Sequence, residues 1–188
     1  KEYIALRGIP LLIQKGFEAD DIIATVATQA TGAHIKTVIC SGDKDLMQLV
    51  NDHTYICHTH KDNLMIDAEK VFEMMGVRPD QIVDYLSICG DSADNIPGLP
   101  GIGPKGASKL LAEFDDLETI LASHDKIKGK KQSETIREKA DLAHLSKSLV
   151  ILKDQMTLEK TYDQLIPTQP DFEGLADFYE RMGFSRFL

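Results

Sequence analysis

Three groups of carboxylates stand where this sequence can do chemistry. They are Glu18, Asp20 and Asp21 in GFEADD (16–21), Asp43 and Asp45 in SGDKD (41–45), and Asp91 and Asp94 in GDSADN (90–95). Seven carboxylates brought together repel one another unless cations lie among them. Hard oxygen ligands without a matching Cys/His set favour Mg²⁺ over zinc, with Mn²⁺ as the natural substitute. Two such ions side by side can clamp the attacking and leaving oxygens of a phosphodiester displacement. Each group also has a plainer reading. Asp20 and Asp21 suit the first turn of a helix through its macrodipole, Asp43 can be an N-cap, and Asp91 and Asp94 can cap turns. Carboxylates at sheet edges also serve phosphatases and phospho-acceptor domains, so on their own the three groups indicate a divalent-metal site and no particular substrate.

The segment that follows Asp94 narrows the choice. Gly98-Leu-Pro-Gly101-Ile102-Gly103-Pro-Lys105 places small residues just before a helical pattern. Free backbone N–H groups at a helix start bind phosphate, and glycine lets the phosphate come close. Lys105 and Lys109, four residues apart, share a helix face and suit a phosphate backbone rather than base edges. The plainer alternative is an ordinary joint between two helices.

These residues need a scaffold at the right places. Ile9–Ile13, Thr37–Cys40, Thr54–Cys57 and Leu64–Ile66 read as strands, the last two joined by a polar turn around Lys61-Asp62-Asn63. A helix is expected from about Ile22, with acidic residues in its first turn, and another from about Leu46. Strands alternating with helices argue for an α/β unit with a mainly parallel sheet, and the first two acidic groups fall at its ligand-binding edge. From Ala68 onward the pattern is helical: 68–75, 80–89, 105–113, 116–122, 133–152 with a break, and 172–182. No long repeat or low-complexity tract is present.

Of 188 residues, 21 are Lys or Arg and 30 are Asp or Glu, giving a net charge of −9. The imbalance is local: residues 16–100 carry 14 acidic and 5 basic side chains, whereas residues 101–153 carry 8 and 10. An acidic chain with pI about 5.1 is unusual for a nucleic-acid binder. Two divalent ions would offset part of the acidic half, leaving any grip on a phosphate backbone to the more basic segment. No apolar run approaches a membrane span, and no signal peptide is evident. Cys40, Cys57 and Cys89, each among apolar neighbours, read as reduced core residues. The expectation is a cytoplasmic globular chain that contacts no membrane.

GFEADD (16–21), SGDKDLMQLV (41–50) and GDSADNIPGLPGIGPKGASKLL (90–111) closely resemble the 5′ nuclease domain of bacterial DNA polymerase I, relative of flap endonucleases and phage 5′ exonucleases. The likeness runs almost end to end, through LSKSLVIL (145–152) to FYERMGFSRFL (178–188). It implies a PIN-like/resolvase-like α/β part over 1–89 and a helical part over 90–188 that contains a helix–three-turn–helix element. Glu18 and Asp20, with Asp21 in or beside that shell, would hold a first Mg²⁺. Asp43, Asp45 and Asp94 would hold a second, with Asp91 in the same cluster. The segment 91–111 would grip duplex DNA through Gly98, Gly101, Ile102, Gly103, Lys105 and Lys109, and it can carry a monovalent cation. The implied reaction is structure-specific 5′-3′ exonuclease and flap endonuclease hydrolysis, at 5′ flaps, nicks and RNA-primed 5′ ends, during primer removal and repair. A polymerase domain of the parent protein is the implied partner, and the resemblance further implies a nucleoid-associated monomer. The chain opens without Met and inside a helical pattern, so it reads as a fragment. The resemblance places a first strand with an aspartate, further metal-binding aspartates and a basic helical arch before its first residue.

Two alternatives remain at this level: a duplex-binding remnant that does not cut, and a Mg²⁺-dependent phosphotransferase, which gives no reason for the glycine-rich turn. His53, Cys57, His58 and His60 lack the spacing of a zinc site. The run Lys126–Lys131 is either a DNA contact or a solvated loop.

Overall fold

In the computed structural model, which describes residues 1–187, a short helix α1 (Glu2–Leu6) leads into an irregular stretch and then α2 (Ala19–Gly32). Leu188, the end of the 178–188 motif, lies outside the described residues. Ala24, Ala27 and Ala30 give α2 a smooth buried face that packs towards β1 (Thr37–Cys40). β1 pairs parallel with β2 (Thr54–His58), and β2 pairs antiparallel with β3 (Leu64–Ile66). Ile39, Ile56 and Ile66 are register partners on the buried face of this small sheet. The β2–β3 hairpin turns through Asp62 and Asn63 at positive φ, which short polar side chains tolerate.

The run Ile9–Ile13 corrects the strand expected there. It joins no ladder: Pro10 has no N–H to give one, and β1 remains an edge of the sheet among the described residues. Ile9, Leu11 and Ile13 are exposed, while Pro10 and Leu12 line an apolar cleft of about 490 Å³ over α2 and β1. Cys40 is likewise not a core residue: it is exposed, and all three thiols are free.

The helical half follows the expected pattern: α3 (Ala68–Met75), α4 (Ile82–Cys89), α5 (Pro104–Phe114), α6 (Leu117–Ala122), α7 (Lys130–Glu138), α8 (Ala140–Val150) and α9 (Phe172–Arg181). The break expected within 133–152 falls at Lys139. Asp67, Asp116 and Asp171 cap α3, α6 and α9 by accepting backbone N–H groups. α4 is the hub. It buries Ile82, Tyr85, Leu86 and Ile88 and packs against α5, α6 and α8. Asp84 on α4 is buried, accepts the Leu117 N–H at 3.0 Å and pairs with Lys147 of α8 at 2.9 Å. No helix among the described residues is long and apolar enough to cross a membrane.

The segment after α8 runs back across the amino-terminal half as a strap. Asp21 Oδ1 accepts the Lys153 N–H, Thr25 Oγ1 donates to Lys153 O, and the Gln48 amide bonds to both Val150 and Leu152. Further on, Thr168 N–H donates to Gly8 O, and Tyr3 of α1 lies against Phe178 and Tyr179 of α9.

Candidate metal centre and phosphate-gripping turn

The turn after β1 is built by its own side chains. Ser41 N–H extends the parallel ladder to Cys57 O, Asp43 N–H donates to Ser41 Oγ, and Asp45 N–H donates to Asp43 Oδ1 at 3.0 Å. Asp43 thus closes a side-chain turn just ahead of the 3₁₀ turn Asp45–Leu49, whose N-cap position is Lys44, so the N-cap reading of Asp43 does not hold. Asp45 sits half-buried beside it, and its Oδ1 is fully buried with no hydrogen-bond partner. Leaving such an oxygen unmatched costs free energy unless something else satisfies it.

Opposite this turn, the loop after α4 is closed by paired backbone bonds between Asp91 and Ile96. Asp91 is buried. Its Oδ1 accepts the Ala93 N–H at 2.9 Å, and its Oδ2 lies 2.7 Å from Lys44 Nζ, an ion pair whose angles fall outside ordinary hydrogen-bond geometry. Asp94 is exposed in the loop, next to Asn95 at φ +58°. Each of Asp45, Asp91 and Asp94 offers a carboxylate oxygen, and these lie within 4.8 Å of one another. No other group of three or more such ligands is this close among the described residues.

The electrostatics match an arrangement made for cations. Burial, then repulsion from Asp43, Asp94 and Asp91, pushes the Asp45 carboxyl up to about 6. Burial and the charges of Asp43, Glu18, Asp21 and Asp94 raise Asp20, so the α2 carboxylate feels the other two groups. Asp94 is raised by burial and by Asp91 and Asp43. Asp91 goes the other way: burial works against its charge, but the Lys44 ammonium and the Ala93 N–H outweigh it. An orphaned buried oxygen and an all-oxygen donor set fit a hard divalent ion.

The remaining predicted ligands are placed less centrally. Glu18 is exposed at the N-cap of α2, and Asp21 is buried with one oxygen committed to the strap at Lys153. Lys44 was not singled out from the sequence. Its role depends on a partner 47 positions away, and the only local hint was a cation between two acids.

The glycine-rich turn separates into two kinds of glycine. Gly98 (φ +61°) is buried, donates its N–H to Ser146 Oγ, and faces the backbone at Gly90, 2.4 Å from where a Cβ would sit. Gly101 (φ +79°) and Gly103 face open space. Ile102 is buried in the core, and its N–H is used by Leu99 O. Gly103 and Pro104 start α5, from which Lys105 and Lys109 project exposed. A groove of about 480 Å³ runs between Pro100–Ile102 and the start of α7, lined by Gly129, Lys130 and Lys131. The basic run at 126–131 thus meets the turn in space. The cleft over α2 and β1 is apolar and is lined by none of the three clustered carboxylates.

Two family models match in succession: "5′-3′ exonuclease, N-terminal resolvase-like domain" over residues 1–76 and "5′-3′ exonuclease, C-terminal SAM fold" over residues 77–173. The chain is 42% identical to a DNA polymerase I of Rhizobium leguminosarum over 178 residues, covering 95% of this chain and 17% of that one. It is 38% identical to a 5′-3′ exonuclease of Aquifex aeolicus over 188 residues, covering 100% of this chain and 63% of that one. It therefore spans less than two thirds of either relative. Among solved structures, T5 5′-exonuclease with bound divalent metal ions (zinc) superposes with a TM-score of 0.68 at 25% identity, covering 74% of this chain and 52% of that one. The catalytic core of Rad2 in complex with a DNA substrate shares the fold, with a TM-score of 0.63 at 17% identity over 96% of this chain and 61% of that one.

Proposed function

The chain belongs to the 5′-3′ exonuclease family, and from that premise we propose that its carboxylates form the divalent-metal centre of a nuclease that hydrolyses DNA phosphodiesters near 5′ ends. The observation that carries this reading is the Asp45–Asp91–Asp94 cluster, with a buried, unpartnered Asp45 oxygen at its heart. Asp43, Asp45 and Asp94 would hold one Mg²⁺, and Glu18 and Asp20, with Asp21 beside them, a second. The ions, when bound, supply charge neutralisation at the phosphoryl oxygens and an activated water.

The protein's own residues do the placing. Gly101 and Gly103 leave room for a phosphate against the start of α5, while Lys105 and Lys109 add charge along one strand. Such contacts read no bases, which suits recognition of a structure at 5′ flaps, nicks and RNA-primed ends. The relatives named DNA polymerase I support a polymerase part in the parent protein and a role in primer removal.

The test is cleavage of a labelled 5′-flap duplex by this chain, with Mg²⁺ and with a chelator. Chelator-sensitive product supports the reading, and product that persists when Asp43 and Asp45 are both replaced by Asn removes the metal assignment. A second reading, a duplex-binding chain that does not cut, is favoured by the separateness of the basic groove at 100–102 and 129–135 from the carboxylates. It predicts salt-sensitive duplex affinity with no product under any metal.

A further inference from the structure

We infer that Cys40 and Cys57 form a reversible dithiol site, which a small-molecule disulfide oxidises to a cross-strand disulfide. The two residues are register partners at the ends of parallel β1 and β2. Ile39 and Ile56, the register pair just before them, point into the core. Alternation therefore turns both cysteines to the opposite face of the sheet, beside the exposed Val38 and Met65. Cys40 is exposed and Cys57 half-buried. Cys40 also lines the cleft of about 490 Å³ over α2 and β1, where a small oxidant can reach it. Ser41 N–H bonds to Cys57 O at the same point, so the pair stands at the root of the turn that carries Asp43 and Asp45. Neighbouring strands lie about 4.8 Å apart, within the roughly 4.4–6.8 Å between α-carbons that a disulfide spans. Side chains of parallel partners stand side by side, so their β-carbons start about a strand spacing apart and must close to about 3.8 Å. A bond made that way carries strain and is easily reduced again. Burial and the adjacent Cys40 thiol hold the Cys57 thiol above its ordinary range, which leaves Cys40 to attack first. The Cys40 thiolate attacks one sulfur of the oxidant and expels the other as a thiolate. The Cys57 thiolate then attacks Cys40 Sγ, forms the Sγ–Sγ bond and releases the second half. Two protein thiols are oxidised, one small disulfide becomes two thiols, and the two protons pass to them. Cys89, at the end of α4, packs against the core and donates its S–H to Gly90 O, so it is the internal control.

The experiment exposes the folded chain to excess oxidised glutathione, then denatures it in acid and counts the remaining thiols by alkylation and mass spectrometry. Peptide mapping locates the bond, and circular dichroism melts check the fold of each variant. Wild type should fall from three alkylated thiols to one, with no glutathione attached and with the Cys40 and Cys57 peptides linked. Excess reduced glutathione should restore all three. Cys57→Ser should stop at a mixed disulfide on Cys40, Cys40→Ser should form no bond within the chain, and Cys89→Ser should close like wild type. Phenylarsine oxide probes the same spacing without oxidation, because its arsenic bridges two adjacent thiols with loss of one water. Wild type and Cys89→Ser should each retain one equivalent through a monothiol wash, and Cys40→Ser and Cys57→Ser should retain none. A wild type that keeps all three thiols, halts at a mixed disulfide, links through Cys89 or pairs between chains overturns the site. So does arsenic retention that survives removal of Cys40 or Cys57.

Discussion

Replacing Asp45 by Asn should stabilise the chain when no divalent ion is present, and Mg²⁺ should reverse that order. In the folded protein, burial and three neighbouring carboxylates move Asp45 from 3.8 to about 6. A shift of about two units corresponds to an upper limit of about 3 kcal/mol against folding with the group ionised. Asp45 is only half-buried, so solvent screening and side-chain relaxation reduce this to about 1–2 kcal/mol. The sign follows from which state holds the proton. Below pH 4 both states are protonated and Asp45 contributes nothing. Between about 4 and 6 the unfolded chain ionises while the folded one does not, so stability falls, and above 6 the full penalty applies. For a chain of this length, the Asn variant should melt roughly 2–8 °C higher at pH 8 in chelator, with the gap closing towards pH 4. Mg²⁺ at a hundred times its dissociation constant adds about 2.7 kcal/mol to a chain that binds it, and the variant forgoes most of that. Calorimetric melts of both chains in chelator and in Mg²⁺ provide the assay. Equal melting in chelator at pH 8, or equal Mg²⁺ stabilisation of both, refutes the reasoning.

Other substitutions probe the surroundings. Lys105→Ala with Lys109→Ala should lower duplex affinity and reduce the slope of log affinity against log salt by about 1.8, measured by fluorescence anisotropy at several salt concentrations. Gly98→Ala sets a Cβ 2.4 Å from Gly90 N and should cost more than about 3 kcal/mol in urea unfolding, whereas Gly101→Ala, with open space around it, should cost only the roughly 1–2 kcal/mol of a left-handed residue. Asp84→Ala leaves the Lys147 ammonium with Glu118 alone and removes the acceptor of the buried Leu117 N–H. It should destabilise by about 2–4 kcal/mol, visible as a lower urea midpoint at unchanged slope.

What the sequence disclosed was what local spacing controls. The Asp43–Asp45 turn, the Lys61–Asn63 hairpin and the helices from Ala68 to Arg181 were legible because each depends on neighbours a few residues away. Ile9–Ile13 misled because its composition is that of a strand, while pairing needs a neighbouring edge and an N–H that Pro10 lacks. Three features needed the fold: the bond of Asp21 to Lys153, the pairing of Lys44 with Asp91, and the meeting of Lys130 with the glycine turn. All three join residues too far apart in the chain for any periodicity to register.

The strap over the amino-terminal half has a consequence for how the protein is made. Asp21 and its partner at Lys153 are 132 positions apart, and Gly8 waits for Thr168. On a ribosome adding roughly 5–20 residues per second, Lys153 follows Asp21 by roughly 7–26 s. Throughout that interval β1 and α2 have emerged without the segment that ties them down. Vectorial synthesis therefore leaves the half that carries Asp43 and Asp45 unfinished until residue 153 has been made, and a nascent chain stalled before residue 150 should remain sensitive to protease at α2.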